Sequence, residues 1–364
     1  LSDLGTGETL QDRVRSGIYQ ALTRLQAVRE QFDIAMVYFP NRWLPHLRTK
    51  EFDAHDELKA LAAQQGIPTQ VVNDKSLLFG NHGARAWRLA IAMYAKAGGI
   101  PWKLAPIPGV PQDTAYIGLA YAIRRADDQA HYVTCCSQVF DTEGGGMQFV
   151  AFQANDEIKD LNEAKRNPFL SQSDMRAVLT RSLRLYMDGH PGRTPRRLVL
   201  HKTTAFTESE LQGVRDATQA IKEVECLEVG AGGAWRGVWM VDAPGKEPPI
   251  QAHGYPVPRG TMVMTTGTSC LLWVAGNAPA ATSGRDFFQG GKSIPKPIVL
   301  RRHMGRGLFD ILALEAIALA KMDWNNDALY DPVPVTIMYS QRLSRIISNV
   351  QRLPGSAYPY RLFM

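Results

Sequence analysis

From His55 to Leu104 the chain switches from helical to extended patterning and back, and that alternation limits its fold more than any other feature. FDAHDELKALAAQQG has apolar residues at helical spacing, with His55 and Lys59 four apart on one face. Gly66-Ile67-Pro68 stops this helix, and Thr69-Gln70-Val71-Val72 reads as a short buried strand. ARAWRLAIAMYAKAGG predicts a second helix, carrying Lys96 in its last turn before Gly98-Gly99. Upstream, residues 10–31 have helical spacing, and FDIAMVYFP is an apolar run of strand length. Helices and strands in alternation predict an α/β unit, a parallel sheet covered by helices in Rossmann-like fashion.

That order can bring an imidazole, two ammonium groups and an amide together: His55, Lys59, Lys96 and Gln70. Phosphate oxygens call for this mixture of charge and hydrogen-bond donors. On spacing alone the plainer reading leads. Lys96 suits the C-terminal end of a helix dipole, and His55 with Lys59 makes an ordinary solvated face.

The 364 residues, 45% of them hydrophobic, suffice for two packed domains. A net charge of +6, spread along the chain, suits a polyanionic partner without demanding one. Four cysteines, including Cys135-Cys136 but no C-x-x-C, give neither a zinc site nor a disulfide framework. A reduced, cytoplasmic protein is the simplest reading. No apolar run reaches membrane-spanning length and no signal peptide opens the chain. Because it starts at Leu1-Ser2-Asp3 without Met, a missing N-terminal segment is expected. Phosphate loops of the G-x-G-x-x-G or G-x-x-x-x-G-K-[ST] type are absent, which speaks against a nucleotide-driven machine.

Prolines 101, 106, 108 and 111 mark an extended connector and a domain boundary. Beyond it TAYIGLAYAIRR, HYVTCCSQVF and GGGMQFVAFQ predict three antiparallel strands, the last two joined by a glycine-rich hairpin. A helix (MRAVLTRSLRLYMDG) and a strand (RRLVLHKT) come after them. Residues 206–224 predict a helix whose Thr207 and Glu210 form a capping box. Strands at GVWMVDAP, GTMVMTT and LLWVAG come next, then a helix in GRGLFDILALEAIALAKMDWNN. PVPVTIMYSQRLSRIISNVQR reads as a strand running into a basic helix with Arg342, Arg345 and Arg352. Arg342 and Arg345, with the positive charge elsewhere on both domains, are expected to follow the backbone of a nucleic-acid duplex rather than read bases.

The succession H-D-x-x-K, P-T-Q-V-V and A-K-x-G-G-I-P-W-K-L resembles the MID domain of prokaryotic Argonautes. The resemblance implies that His55, in a place usually held by Tyr, binds the 5′ phosphate of a guide strand with Lys59, Gln70 and Lys96. It implies a Rossmann-like MID domain over 1–104 and an RNase H-like PIWI domain over 105–364. Lys75 could meet a second guide phosphate. The aromatic tail Ala357–Met364 is expected to fold back into the pocket, where the Met364 carboxylate would help hold Mg²⁺ against the phosphate.

Active PIWI domains carry I-G-x-D on their first strand, where this chain has Ile117-Gly118-Leu119-Ala120. Thr203 and Gln341 stand at two further carboxylate or histidine positions. Two-metal cleavage needs a carboxylate cluster, so an inactive PIWI domain is expected. The whole then resembles the short prokaryotic Argonautes. That resemblance implies a guide RNA, recognition of complementary single-stranded DNA, and an APAZ-containing effector subunit of TIR or sirtuin type that consumes NAD⁺ in defence against invading DNA. Two alternatives stay open. One is an active guided nuclease using displaced carboxylates such as Asp127, Asp141 or Glu143; the other is a scaffold subunit that binds no nucleic acid.

Overall fold

The computed structural model describes residues 7–364 except 8, 50–51, 75–81, 127–128, 141–147, 158–159, 161, 163–167, 290–293, 325–330 and 350–356. It does not describe the side chains at 124–157 and 349. Near the N-terminus, α1 (Leu10–Gln26) starts at a capping box between Thr9 and Asp12. It leads to β1 (Ala35–Tyr38), α2 (Ala54–Gln64), β2 (Thr69–Val72) and α3 (His82–Lys96). β1 and β2 pair in parallel, from Ala35↔Thr69 to Tyr38↔Val72, as the alternation predicts. Leu22, Ala35, Leu58, Ala62 and Ile67 form the core between these helices and the sheet. The helix expected over 10–31 stops at Gln26, and Arg29–Gln31 form a separate 3₁₀ turn.

The rest of the chain is built on one nine-stranded mixed sheet. β3 (Thr114–Ala126), β4 (Gln129–Phe140) and β5 (Gln148–Glu157) form the expected antiparallel meander. After α4 (Gln172–Gly189), β6 (Arg197–Lys202) joins β3 in parallel on its other side. After α5 (Glu208–Ala217), β7 (Glu223–Ala231) continues the sheet in parallel with β6. A small hairpin, β8 (Met240–Asp242) and β9 (Ile250–Ala252), stands apart from it. β10 (Met262–Thr266), β11 (Ser269–Leu272) and β12 (Ile298–Met304) complete one edge. α6 (Phe309–Leu319) and α7 (Val335–Asn349) precede β13 (Ala357–Pro359), which adds to the opposite edge beside β5.

Strand alternation divides the interior. Ala115, Ile117, Leu119, Leu198 and Leu200 point toward α4 and α5. Tyr116, Val199, Leu227 and Val229 point toward α6 and α7. This second core continues through Ala60, Ala63, Ala95 and Leu104 to the tail residues Tyr358, Phe363 and Met364. The two sheets and the C-terminus are therefore tied by one apolar cluster.

Several sequence expectations need correction. The helix drawn over 206–224 ends at Ala217, where Thr218 Oγ1 turns back to Val214 O at 2.8 Å. The residues from Glu223 onward belong instead to β7, a strand in the middle of the sheet. PVPV is no strand: α7 begins at Val335, because Val335, Tyr339, Leu343 and Ile346 recur at helical spacing and are all buried. The helix expected over 305–326 runs only from Phe309 to Leu319.

Candidate phosphate-binding site

Asp53 sets the geometry of α2, its carboxylate accepting from His55 N at 2.9 Å and Asp56 N at 3.4 Å. One turn on, Lys59 is buried against β2 and donates to Thr69 O at 2.7 Å. Gly66, at φ +67°, supplies the left-handed residue that ends the helix and delivers the chain to β2. There Gln70 Nε2 donates to Val71 O at 2.9 Å, which turns Oε1 toward α3. Lys96, in the last turn of α3, donates to that oxygen. Lys59 donates in addition to the main-chain oxygen of Met364. The tail thus lies against the pocket, and Phe363 and Met364 line it.

The result is a cavity of about 210 Å³ lined by His55, Lys59, Gln70, Lys96, Arg342, Arg345 and the tail. All four residues predicted from the sequence line it, with Met364. Arg342 and Arg345, expected along a duplex, line this cavity from α7. Arg345 Nη2 lies 3.3 Å from Asp56 Oδ1, the same oxygen that faces His55 Nδ1 at 3.2 Å. Arg342 stacks 5.3 Å from the Tyr339 ring centroid, and its buried Nη1 has no hydrogen-bond partner. A short-range motif search could not have joined α7 to α2; only its run of basic residues was visible.

The electrostatics suit an anion. Burial, reinforced by the neighbouring Lys96 and Arg342, holds the Lys59 ammonium well below the usual lysine range. Burial and then Arg342 pull Lys96 down to about 8. Cations held this close to one another gain from an incoming phosphate, which would raise both values again. Affinity for a 5′-phosphorylated strand should therefore be level up to pH 8 as far as Lys96 is concerned. It should fall as pH rises further and Lys96 of the free pocket loses its proton. Phosphate protonation below about pH 6 should weaken binding on the acid side. Titrating affinity against pH for 5′-phosphorylated and 5′-hydroxyl strands checks this; a profile shared by both would refute it.

Two oxygens in the pocket suit a hard cation, Gln70 Oε1 and Met364 O, each now accepting from a lysine. Oxygens of this kind, with phosphate and water, make up the shell that Mg²⁺ takes, but here both are turned to lysine ammonium groups. Asp53, His55 and Asp56 also bring three ligand atoms within 4.8 Å of one another, but Asp53 is engaged in capping the helix.

No family model and no curated protein sequence matches this chain. Solved structures do. Clostridium butyricum Argonaute bound to a guide DNA and a 19-mer target DNA superposes with a TM-score of 0.65 at 14% identity, over 95% of this chain. Aquifex aeolicus Argonaute gives 0.60 at 14% identity over 94%. The chain has an Argonaute-like fold. It spans 42% of the length of the first of these proteins and 44% of the second. The mixed sheet and the smaller parallel unit match the MID and PIWI architecture.

Within this Argonaute-like frame, Leu119 pairs with Lys202 across the parallel strands β3 and β6; Ala120 is the next residue within β3, and Thr203 is the first past the end of β6. Gln341 lies on α7. Beside them Lys202 Nζ is fully buried, with both Glu210 oxygens at 2.7 Å. Glu210 Oε1 also accepts from Tyr121 Oη at 3.0 Å and Leu170 N at 3.1 Å. His201 Nδ1 meets Thr336 Oγ1 at 2.8 Å, and burial with the nearby Arg197 pulls its pKa down to about 3. Lys75, Arg352, Asp127, Asp141 and Glu143 lie outside the described residues. Among the described residues, no helix is long and apolar enough to cross a membrane.

Proposed function

We propose that this chain recognises nucleic acid through a guide, holding the guide's 5′ phosphate in the pocket of Lys59, Gln70, Lys96 and His55. The observation carrying the reading is the convergence of those residues, from two helices and a strand, with Arg342, Arg345 and Met364 around one phosphate-sized space. Residues 1–104 act as the MID domain and 105–364 as the PIWI domain. The neighbouring cavity lined by Phe39, Leu44, Leu47, Asp53 and Asn73 shares His55, Val71 and Arg345 with the pocket and would receive the first nucleoside. Mg²⁺ bound through Met364 would add positive charge beside the phosphate.

Cleavage is not part of the reading. Ala120, Thr203 and Gln341 offer no carboxylate, and Glu210 is committed to Lys202. A guide–target duplex then matters by changing a contact with another chain, since a ligand shifts an equilibrium only through its differential affinity for the two states. The chain serves in the cytoplasm of a prokaryote as the sensing subunit of an immune heterodimer. Its guide is RNA, its target single-stranded DNA, and its partner an APAZ-containing effector of TIR or sirtuin type.

The experiment mixes guide-loaded complex with matched or mismatched single-stranded DNA, following NAD⁺ by chromatography and the target on a gel. Loss of NAD⁺ with the matched strand alone, over an intact target, is expected. A cut target with NAD⁺ untouched would overturn both the sensing role and the inactive PIWI domain.

A further inference from the structure

A second cavity lies far along the chain from the phosphate pocket, on the segment between β7 and β12. It measures about 450 Å³, and its walls are Trp239, His253, Tyr255, Phe288, Val238 and Ile294. That volume is in the range of small-molecule sites and holds a nucleobase easily. The β8–β9 hairpin builds the aromatic wall. Its ladder extends by one step, His253 N donating to Trp239 O at 2.7 Å, which sets the Trp239 and His253 rings 4.4 Å apart. The Tyr255 ring follows at 6.0 Å from His253.

The histidine is fixed from behind. Tyr255 N donates to His253 Nδ1 at 3.2 Å, so Nε2 carries the proton and faces Asp286 Oδ2 at 3.4 Å. Asp286 is held in turn by Asn277 Nδ2 at 2.6 Å, and Asn277 is buried. The ring therefore keeps its orientation between Trp239 and the exposed Tyr255. The exposed residues next to the wall in sequence include three cations, Arg236, Arg285 and Lys296, beside the apolar Trp235 and Met240. Asp286, the acidic neighbour, is already engaged by His253 and Asn277.

From these features we propose that the cavity is a stacking site for an unpaired nucleobase of a single strand, with Arg236, Arg285 and Lys296 as the cations for its phosphodiesters. Bases stack on such rings whatever their sequence, and the three nearby cations with the chain's net charge of +6 favour a polyanionic strand. The site is separate from the 5′-phosphate pocket and does not depend on a guide end.

The test uses the full chain without guide and a short 5′-hydroxyl oligothymidylate carrying 5-iodouracil. After irradiation, cross-links are mapped by mass spectrometry, and affinity is followed by anisotropy. Cross-links are expected on the peptides carrying Trp239 or Tyr255, unchanged when Lys59 and Lys96 are both replaced by alanine. Tyr255→Ala, at an exposed position, should weaken the strand about tenfold, and Trp239→Phe should keep most of the binding. Cross-links only elsewhere, or an affinity indifferent to both Tyr255→Ala and Trp239→Ala in folded protein, would overturn the proposal. So would protection of this surface by a tryptophan-bearing peptide but not by the oligonucleotide.

Discussion

Replacing Lys59 and Lys96 together by alanine is expected to weaken a 5′-phosphorylated strand roughly 10²–10⁴-fold while changing its 5′-hydroxyl counterpart only slightly. A hydrogen bond to a charged group contributes about 1.5–3 kcal/mol, and two such bonds would be lost. Both ammonium groups are nearly inaccessible to water, so screening does little to reduce the effect. In the free protein they occupy themselves with Thr69 O, Met364 O and Gln70 Oε1. A phosphate must draw them from these acceptors, which sets its net gain at the lower end. The buried charges also affect stability. A lysine whose pKa falls on folding binds fewer protons in the native state than when unfolded. From about pH 8, where Lys96 titrates, up to its unfolded value near 10.4, native stability should therefore rise with pH. Filter binding with the two strand types checks the first expectation. Equal weakening of both would reduce these lysines to general electrostatic attraction.

The N-terminal alternation was legible because its switches are punctuated locally: Gly66-Ile67-Pro68 as a stop, with Gly66 in the left-handed region, and a β-branched pair at Val71-Val72; the Asp53 cap went unread. The capping box at Thr207–Glu210 was equally plain, but its second use was not. Glu210 also neutralises Lys202, a partner that only the sheet brings near. β7 escaped because Glu223, Glu225 and Glu228 resemble the polar face of a continuing helix. In the fold Glu225 Oε1 accepts from Arg306 N and Gly307 N, and Glu228 bonds Arg301 and His303 across to β12. β12 was hidden for the matching reason, its Arg301-Arg302-His303 run being complementary to those acids. Arg342 and Arg345 belong to the same class of omission. Their chemistry was visible, but their place depends on α7 packing over α2, which no local pattern encodes.

Glu315→Ala should cost about 3–5 kcal/mol of unfolding free energy, a large share of the stability of any domain. Glu315 lies in α6 at 1% exposure and Arg197 in the central strand β6 at 4%. Glu315 Oε2 accepts from Arg197 Nη2 at 2.9 Å, and Oε1 accepts from Nη1 and from Tyr116 Oη, the latter at 2.7 Å. Burial, together with Glu315 itself, pushes the Tyr116 hydroxyl up, so it remains a donor. Removing the carboxylate leaves the phenol without its acceptor and the guanidinium with only the half-exposed Glu223, 3.8 Å from Nε, and that loss inside an apolar layer is the main penalty. Arg197→Met with Glu315→Leu removes both charges at once and should cost far less than the two single changes summed. Urea denaturation of the four proteins measures the coupling. Strict additivity would mean that water or other groups already satisfy Arg197, and that this buried pair is not what joins α6 to the sheet.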